Sequence, residues 1–259
     1  MNEIRGTLTR PDGVALAYAA LPGSPASQTP TTVFLGGFRS DMEGSKALHL
    51  RDHCARTNRP FLRLDYSGHG ISGGDFEQGT IGAWAEDAAQ VIEAVTTKDG
   101  APGPLILVGS SMGGWIALLL ARRWGTARIR AVIGLAAAPD FTETLMPAEF
   151  TAADRETLAR DGVLRRPSQY GAPIPITLRL LTEGRNHLLL PGPIPYEGPV
   201  RLLQGMEDPD VPWQHALRIV EALPGPDVTL TLIKDADHRL SRPQDLDRLT
   251  RTLDALPVG

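Results

Sequence analysis

The chain has 259 residues, 42% of them hydrophobic and 22% charged, and a formal net charge of −4. This length fits one large α/β domain or two small ones, and the hydrophobic share is sufficient for a sizeable core. The slight negative charge argues against a broad nucleic-acid-binding face. The single cysteine, Cys54, excludes an internal disulfide, so we expect it to be a small core residue.

The N-terminal stretch MNEIRGTLTRPDGV lacks the apolar core of a signal peptide. No apolar run approaches the ~18 residues that a membrane-spanning helix needs. From these two features we expect a soluble, cytoplasmic protein without a membrane span.

The first half of the chain alternates predicted strands with predicted helices. Pro11-Asp12-Gly13 predicts a hairpin between strands over 4–8 and 14–19. Further on, strands are predicted at 32–35, 61–64 and 105–108, and helices at 45–56 and 80–97. The apolar run 115–121 predicts a buried helix, so residues 109–114 are expected to form a tight strand-to-helix turn.

The second half resumes this alternation after an interruption. Strands are predicted at 129–135, 200–203 and 228–233, and helices near 213–222 and 243–255. Strands that alternate with helices predict an α/β fold with a mostly parallel central sheet and helices on both faces. We assign residues 1–138 and 198–259 to this core.

The interruption, residues 139–197, is rich in proline and contains two helix-like pieces, near 147–160 and 174–186. An insertion between two strands, on the side where the strands end, would form a small helical cap over a site there. Its apolar residues either pack the cap onto the core or contact a substrate; Phe150 and Leu181 are candidates for such contact.

The segment LILVGSSMGGWIALL (105–119) contains two adjacent serines, and the register of the glycines distinguishes them. The pattern G-x-S-x-G, the nucleophile elbow, needs glycine two residues before and two after the nucleophile. Ser111 has Gly109 and Gly113, whereas Ser110 has Val108 and Met112. We therefore predict that Ser111 is a nucleophile, exposed at the N-terminus of a helix.

A serine hydroxyl needs a base, and six histidines are available. His238 follows a predicted strand and precedes the last helix, where the site should be. His49 and His53 lie four apart on a helix but lack a third ligand, so a solvated face is favoured over a metal site. We expect His69 to shape a loop and His187 to line the pocket. We expect His215 to lie exposed on a helix. We choose His238 as the base.

The acid that orients the base should lie in RLLQGMEDPDVPW, after the strand at 200–203. The candidates are Glu207, Asp208 and Asp210, and we favour Asp208 because it stands three residues beyond Gly205. Asp237 adjoins His238 in sequence, where side chains rarely face each other, so it is expected to be a turn residue. The triad order Ser, Asp, His is the one that this type of elbow requires.

The oxyanion of a tetrahedral intermediate needs two aimed N–H donors. We predict the backbone N–H groups of Met112, which follows the nucleophile, and of Phe38, in GGFRSDM after the strand at 32–35. The neighbouring glycines fit a phosphate-binding loop equally well, but neither G-x-G-x-x-G nor a Walker lysine is present.

These residues give the chain a resemblance to the α/β-hydrolases. More narrowly, it resembles the abhydrolase-domain-ten branch, palmitoyl-protein thioesterases that also cleave acyl-glucuronide esters. The similarity covers most of the chain and rests on GGFRSDMEGSKA, LDYSGHGISGG, VGSSMGGWIALL, PIP at 193–195, VRLLQGMEDPDVPW and DHR at 237–239. It implies Ser111, Asp208 and His238 as catalytic residues. The absence of an organelle leader points to a bacterial-type relative.

Taken together, these features predict a serine hydrolase of esters or thioesters that acts on a small molecule or an acylated protein and needs no metal or organic cofactor. Arg39, Trp115 and His187 are further candidates for substrate contact. Two alternatives stay open: carbon–carbon bond hydrolysis or perhydrolysis on the same fold, and a non-catalytic ligand-binding relative. The sequence does not define an oligomeric state.

Overall fold

The computed structural model describes residues 2–23, 29–98, 101–168 and 171–257. The strands in this part of the chain are β1 (Ile4–Thr9), β2 (Ala15–Leu21), β3 (Thr31–Leu35), β4 (Phe61–Leu64), β5 (Thr97–Lys98), β6 (Ala101–Pro102), β7 (Leu105–Ser110), β8 (Ile129–Leu135), β9 (Val163–Ser168), β10 (Gly171–Thr177), β11 (Val200–Gly205) and β12 (Val228–Ile233). The α-helices are α1 (Ser45–Arg56), α2 (Ile81–Thr96), α3 (Met112–Arg128), α4 (Phe141–Thr144), α5 (Ala152–Asp161), α6 (Leu178–Gly184), α7 (Trp213–Ala222) and α8 (Pro243–Asp254).

Eight of these strands form one sheet in the order β1-β2-β4-β3-β7-β8-β11-β12. The second strand, β2, pairs antiparallel with both β1 and β4. From β4 to β12 all neighbours are parallel, so their carboxyl ends lie along one edge. Because ligands bind beyond the carboxyl ends of such strands, this edge is where a site is expected.

Helices cover both faces of the sheet, as the alternation of strands and helices predicted. The strand β7 is buried on both sides: Leu105 and Leu107 belong to the cluster that α2, α3 and α7 cover. Ile106 and Val108 face the other way, into the cluster under α1 and α8. Two-sided burial explains why this strand is an unbroken apolar run instead of an alternating one.

The predicted elements of the core correspond closely to the observed ones. The helix predicted at 213–222 and the strand predicted at 228–233 have the observed bounds of α7 and β12. At the elbow, β7 continues to Ser110 and α3 begins at Met112, and α3 extends to Arg128, beyond the predicted run 115–121. The turn predicted over 109–114 is therefore compressed into Ser111 alone. Cys54 is buried in α1, and burial raises the pKa of its thiol to about 12, as fits a core residue.

The chain between β8 and β11 leaves the sheet, and here the prediction of a helix near 174–186 is partly wrong. Residues 171–177 form β10, which pairs antiparallel with β9 in a hairpin, and only α6 is helical. Pro173 and Pro175 explain this difference, because proline is excluded from helix interiors but tolerated at the free edge of a short hairpin. The division into a core and a cap at 139–197 stays a prediction.

A small cluster of its own holds this insertion together. Its buried members are Phe150, Leu158, Leu164, Ile176 and Leu181. Polar contacts connect the hairpin to the body: Arg165 in β9 lies 2.7 Å from Glu77. Arg39 Nη1 donates to Pro173 O at 3.0 Å. The hairpin is thus fastened to the sheet edge by side chains at the surface.

Behind the loop that follows β3, aromatic rings form a second support. The ring of Phe38 lies 5.0 Å from that of Phe76 and 5.9 Å from that of Trp84, centroid to centroid. His69 is 3% exposed and packs edge-on against Tyr66, Phe76 and Trp84. Its Nδ1–H donates to Ser67 O at 3.2 Å and its Nε2 accepts the Arg39 N–H at 3.3 Å, a pattern that requires the neutral ring. His69 therefore shapes the loop, as predicted.

Burial in this cluster lowers the pKa of His69 from 6.5 to about 4. The unfolded chain binds a proton there below about pH 6.5 while the folded chain does not, so stability falls as the pH drops through this window. The variant His69→Gln keeps an acceptor but cannot titrate. Between pH 7.5 and pH 5, we expect its free energy of unfolding to fall by about 2 kcal/mol less than that of wild type. Urea unfolding at the two pH values measures this difference, and parallel losses in both proteins would contradict the prediction.

Candidate active site

Ser111 occupies a sharp turn between β7 and α3. Its φ is 53° and its ψ is −117°, a strained conformation for a residue with a side chain. Its N–H donates to Leu135 O at 2.9 Å, and its carbonyl accepts the N–H groups of Gly114 and Ala138. Both backbone groups are thus held by α3 and by the end of β8 and the loop after it, which keeps the side chain at the sheet edge.

Glycine is required next to this turn because backbone passes too close for a side chain. A Cβ on Gly113 would collide with the carbonyl oxygens of Leu35 and Gly36. A Cβ on Gly109 would collide with the backbone of Gly113. The two glycines of the G-x-S-x-G pattern are therefore needed for strand, turn and helix to fit together.

The three residues predicted to act together lie within hydrogen-bond distance in the expected order. Ser111 Oγ lies 3.1 Å from His238 Nε2. His238 Nδ1 lies 2.8 Å from Asp208 Oδ2. With Nδ1–H donating to the carboxylate, Nε2 is left as the acceptor for the serine hydroxyl. This arrangement can abstract the proton from Ser111 and stabilise the imidazolium that forms.

Asp208 is the only one of the three acid candidates that is buried; its side chain has no exposed area. Its Oδ1 accepts the N–H groups of Asp210 at 2.9 Å and of Val211 at 2.8 Å. Its Oδ2 accepts from Gln204 Nε2 at 3.0 Å as well as from His238. Glu207 and Asp210 are exposed, so their carboxylates lack these surroundings.

The loop after β3 lies against the elbow. An ideal Cβ on Gly37 would be 3.4 Å from Ser111 Cβ and 3.3 Å from Ser110 O. Ser40 N–H donates to Gly37 O, Arg39 N–H donates to His69, and Tyr66 Oη–H donates to Gly36 O. These contacts hold the backbone on both sides of the Phe38 N–H. The N–H of Met112 begins α3, where the first N–H groups have no partner within the helix.

Two predictions about the remaining histidines are wrong. His53 is not solvated: it is 8% exposed and lies 3.0 Å from Asp254 in α8. His215 is not exposed on its helix: it is 4% exposed, its Nε2 donates to Pro139 O at 2.8 Å, and burial lowers its pKa. Asp237 is a turn residue as predicted, because its carboxylate accepts the N–H groups of Arg239 and Leu240.

A cavity of about 710 Å³ opens beside Ser111 and His238. One wall is apolar and comes largely from the insertion: Phe141, Leu145, Met146, Phe150, Ile174 and Ile176. Another part of the lining is polar, comes from the core, and includes Ser40, Asp41, Ser45, Lys46, Arg239 and Ser241. Lys46 Nζ donates to Arg239 O, and burial lowers its pKa to about 8. The lining therefore offers contacts for both an apolar and a polar part of one substrate.

The residues proposed for substrate contact lie in different places. Phe150 lines the cavity. Leu181 packs in the small apolar cluster of the insertion. Trp115 is fully buried, and its Nε1–H donates to His187 O at 3.0 Å. His187 Nε2 is 2.6 Å from Glu183 Oε1. Arg39 does not line this cavity, and its guanidinium lies 5.5 Å from the Phe76 ring centre.

Sequence reasoning did not identify Gln204, Lys46, Ile174 or Ile176 as neighbours of the site. The alternation of isoleucine with proline in PIPI (173–176) was a signal for a strand with one apolar face. Gln204 offered a signal too, since a polar side chain in the strand LLQG is unusual in a buried core.

The carboxylates of Asp208 and Asp210 and the His238 ring bring ligand-type atoms within 4.8 Å of one another in the described part of the chain. Both nitrogens of His238 are already engaged, with Asp208 and with Ser111. A metal ion bound by His238 would therefore have to replace one of these two hydrogen bonds. As for membranes, no helix within the described ranges has the length and apolarity to cross one.

The chain is similar to known hydrolases. The profile of the family described as serine aminopeptidase, S33, matches residues 32–160. The mitochondrial palmitoyl-protein thioesterase ABHD10 of Mus musculus is 37% identical over 251 residues, which cover 96% of this chain and 81% of that protein. Among solved structures, a protein of Agrobacterium vitis S4 is 41% identical, with a TM-score of 0.91 over 100% of both chains. Mouse α/β hydrolase domain-containing protein 10 is 34% identical, with a TM-score of 0.84 over 98% of both chains.

The similarity to ABHD10 extends over nearly the whole chain, in sequence and in fold. The chain therefore belongs to the α/β-hydrolase family that contains the ABHD10 palmitoyl-protein thioesterases.

Proposed function

We propose that the protein is a serine hydrolase that cleaves carboxylic esters or thioesters through an acyl-Ser111 intermediate. The observation that carries this proposal is the hydrogen-bonded series from Ser111 Oγ through His238 to Asp208, with distances of 3.1 Å and 2.8 Å. Its position beside a cavity with one apolar wall supports a substrate with an apolar acyl group.

In the first half of the reaction, Ser111 Oγ attacks the acyl carbonyl carbon and His238 Nε2 takes the hydroxyl proton. Asp208 stabilises the imidazolium through Nδ1. The carbonyl oxygen becomes an oxyanion, which the N–H groups of Phe38 and Met112 stabilise. The tetrahedral intermediate then collapses: its bond to the leaving oxygen or sulfur breaks, and His238 donates the proton to that atom.

In the second half, water replaces the leaving group beside the acyl-enzyme. His238 takes a proton from this water, whose oxygen attacks the acyl carbonyl. Collapse of the second tetrahedral intermediate releases the acid and returns the proton to Ser111 Oγ. The residues of this chain supply every proton transfer, so this mechanism requires no cofactor.

The name of the ABHD10 relatives supports thioesters of long acyl chains as one substrate class. We propose an acylated protein or an acylated small molecule as the partner, with the acyl chain against the insertion wall and the leaving group against the polar wall. Those relatives are named as mitochondrial proteins. A cytoplasmic location for this chain stays a prediction.

The first test is which serine is acylated. Fluorophosphonate labelling followed by peptide mapping should place the adduct on Ser111, because its Oγ lies 3.1 Å from His238 Nε2. Ser111→Ala should abolish labelling and Ser110→Ala should retain it. An adduct on Ser110 would contradict the assignment of the elbow, and a chain that does not label at all would favour a non-catalytic relative.

The second test concerns the acid. Asp208→Asn should lower kcat by up to ~10⁴-fold, because the amide cannot hold the His238 ring in the tautomer that accepts the serine proton. Asp210→Asn is the matched control: its carboxylate is close by but exposed, so kcat should change far less. Steady-state kinetics with ester and thioester substrates measure both, and a larger loss in Asp210→Asn would assign the acid to that residue.

The third test is a series of acyl esters and thioesters from acetyl to palmitoyl. Each buried CH₂ is worth ~0.8 kcal/mol, so kcat/KM should rise about fourfold per added CH₂ until the cavity is filled. Carbon–carbon substrates such as dienones should be inert.

Ile174 is half-buried in the cavity wall, so Ile174→Gln should flatten the rise with chain length. Leu178→Gln is its control, because Leu178 is 44% exposed in the same insertion but does not line the cavity. The same flattening in both variants would mean that the insertion acts through its fold instead of by contact.

A further inference from the structure

Gln204 is the penultimate residue of β11, and its side chain is 1% exposed. Its Nε2 lies 3.0 Å from Asp208 Oδ2, 3.0 Å from Val211 O and 3.2 Å from Gly205 O. The amide therefore sits inside the loop that carries the triad acid, with its donor group toward three acceptors. This orientation is the only sensible one, because the reverse would place Oε1 against two carbonyls and a carboxylate.

The donors around Asp208 divide evenly between its two oxygens. Oδ1 accepts two backbone N–H groups, and Oδ2 accepts from Gln204 and His238. An ionised carboxylate has about four lone-pair sites, so this one has no acceptor capacity left. Gln204 and His238 thus compete for the charge on the same oxygen.

The other end of the Gln204 amide shows that this placement has a cost. Its Oε1 is buried and has no hydrogen-bond partner within the described residues. A buried, unpartnered acceptor destabilises the fold, and an apolar side chain of the same size would avoid that. The contact that offsets this cost is the hydrogen bond from Gln204 Nε2 to Asp208 Oδ2.

We propose that Gln204 is a positioning residue that sets how strongly Asp208 attracts the proton on His238. By donating to Oδ2, its amide withdraws negative charge from the oxygen that His238 Nδ1–H contacts, and it fixes that oxygen toward the imidazole. Without the amide, Oδ2 would hold more charge, and the imidazolium would keep its proton to higher pH. The inference rests on the proposed function of Ser111, Asp208 and His238.

Other charged groups lie around the same cavity as His238, and they are the same in wild type and in a Gln204 variant. Those lining the same cavity are Asp41, Lys46, Glu149, Arg166, Asp210 and Arg239. Asp237 lies beside His238 in the chain. The Gln204 amide nitrogen donates to Gly205, Asp208 and Val211, so Gln204→Met removes this donor while the charged groups named above are present in both proteins.

The experiment measures the second-order rate of fluorophosphonate labelling against pH in wild type and Gln204→Met, which keeps the length of the side chain and removes the donor. Labelling needs the neutral His238 ring, so the rate falls on the acid side. We expect the midpoint of this fall to lie roughly half a pH unit or more higher in Gln204→Met. A midpoint that is unchanged or lower would overturn the proposal.

Leu203→Met is the matched control, because Leu203 is the buried neighbour in β11 that packs into the cluster on the other face of the sheet. It should lower stability without moving the midpoint. If the protein failed to label at all, the proposed function would fail; if it labelled with coincident midpoints, only the role of Gln204 would fail.

A second measurement uses the wild-type protein and does not depend on the folding of a variant. With ¹⁵N-labelled glutamine, the slowly exchanging side-chain amide of buried Gln204 should shift with pH at the midpoint seen in the labelling rate. Its charge environment changes when His238 gains a proton, because both donate to Oδ2. A resonance that does not respond across that pH range would contradict the inference.

Discussion

The backbone of Ser111 is the constraint on which the rest of the site depends. A residue with a side chain in this conformation costs about 1–3 kcal/mol, so the surrounding structure must hold it. Here the N–H of Ser111 is bonded to the end of β8 and its carbonyl accepts from Ala138 in the loop that follows. Ser111 is therefore positioned by the pairing of two central strands, β7 and β8, and its side chain can project from the sheet only while those strands remain in register.

Asp208 and His238, the proposed acid and base, come from separate loops whose backbones are hydrogen-bonded to each other. Met206 N–H donates to Ile233 O and Glu207 N–H donates to Ala236 O, which continues the pairing of β11 and β12 beyond the sheet. Gly205 makes this approach possible, since a Cβ there would collide with Ala236 O. Because the two loops are fixed to each other, the distance between Asp208 and His238 is a property of the scaffold and not of flexible side chains.

Sequence patterns predicted the core and the proximity of Ser111, Asp208 and His238 better than the insertion and the buried polar contacts. The elbow, the strands and the order of Ser111, Asp208 and His238 follow from local features: glycine spacing, apolar runs and loop position. The burial of His53 and His215 does not, because each is covered by a partner distant in sequence, Asp254 and Pro139. The hairpin at 163–177 was missed because prolines break local periodicity, and its pairing is visible only when both strands are present.

The fastening of the β9–β10 hairpin has a consequence for how the protein responds to its medium. The buried apolar residues of the insertion form a cluster of their own, which half-buried Met146 connects to the main core. Two links between the hairpin and the body are polar and close to solvent. Dissolved ions screen the Arg165–Glu77 pair, whereas they leave the enclosed hydrogen bonds of the triad almost unaffected. The guanidinium of Arg39 donates a hydrogen bond to Pro173 in the hairpin, and Arg39 directly follows Phe38 in the chain. Ionic strength thus acts on the attachment of the β9–β10 hairpin, and Arg39 connects a displacement of this hairpin to the loop that holds the Phe38 N–H.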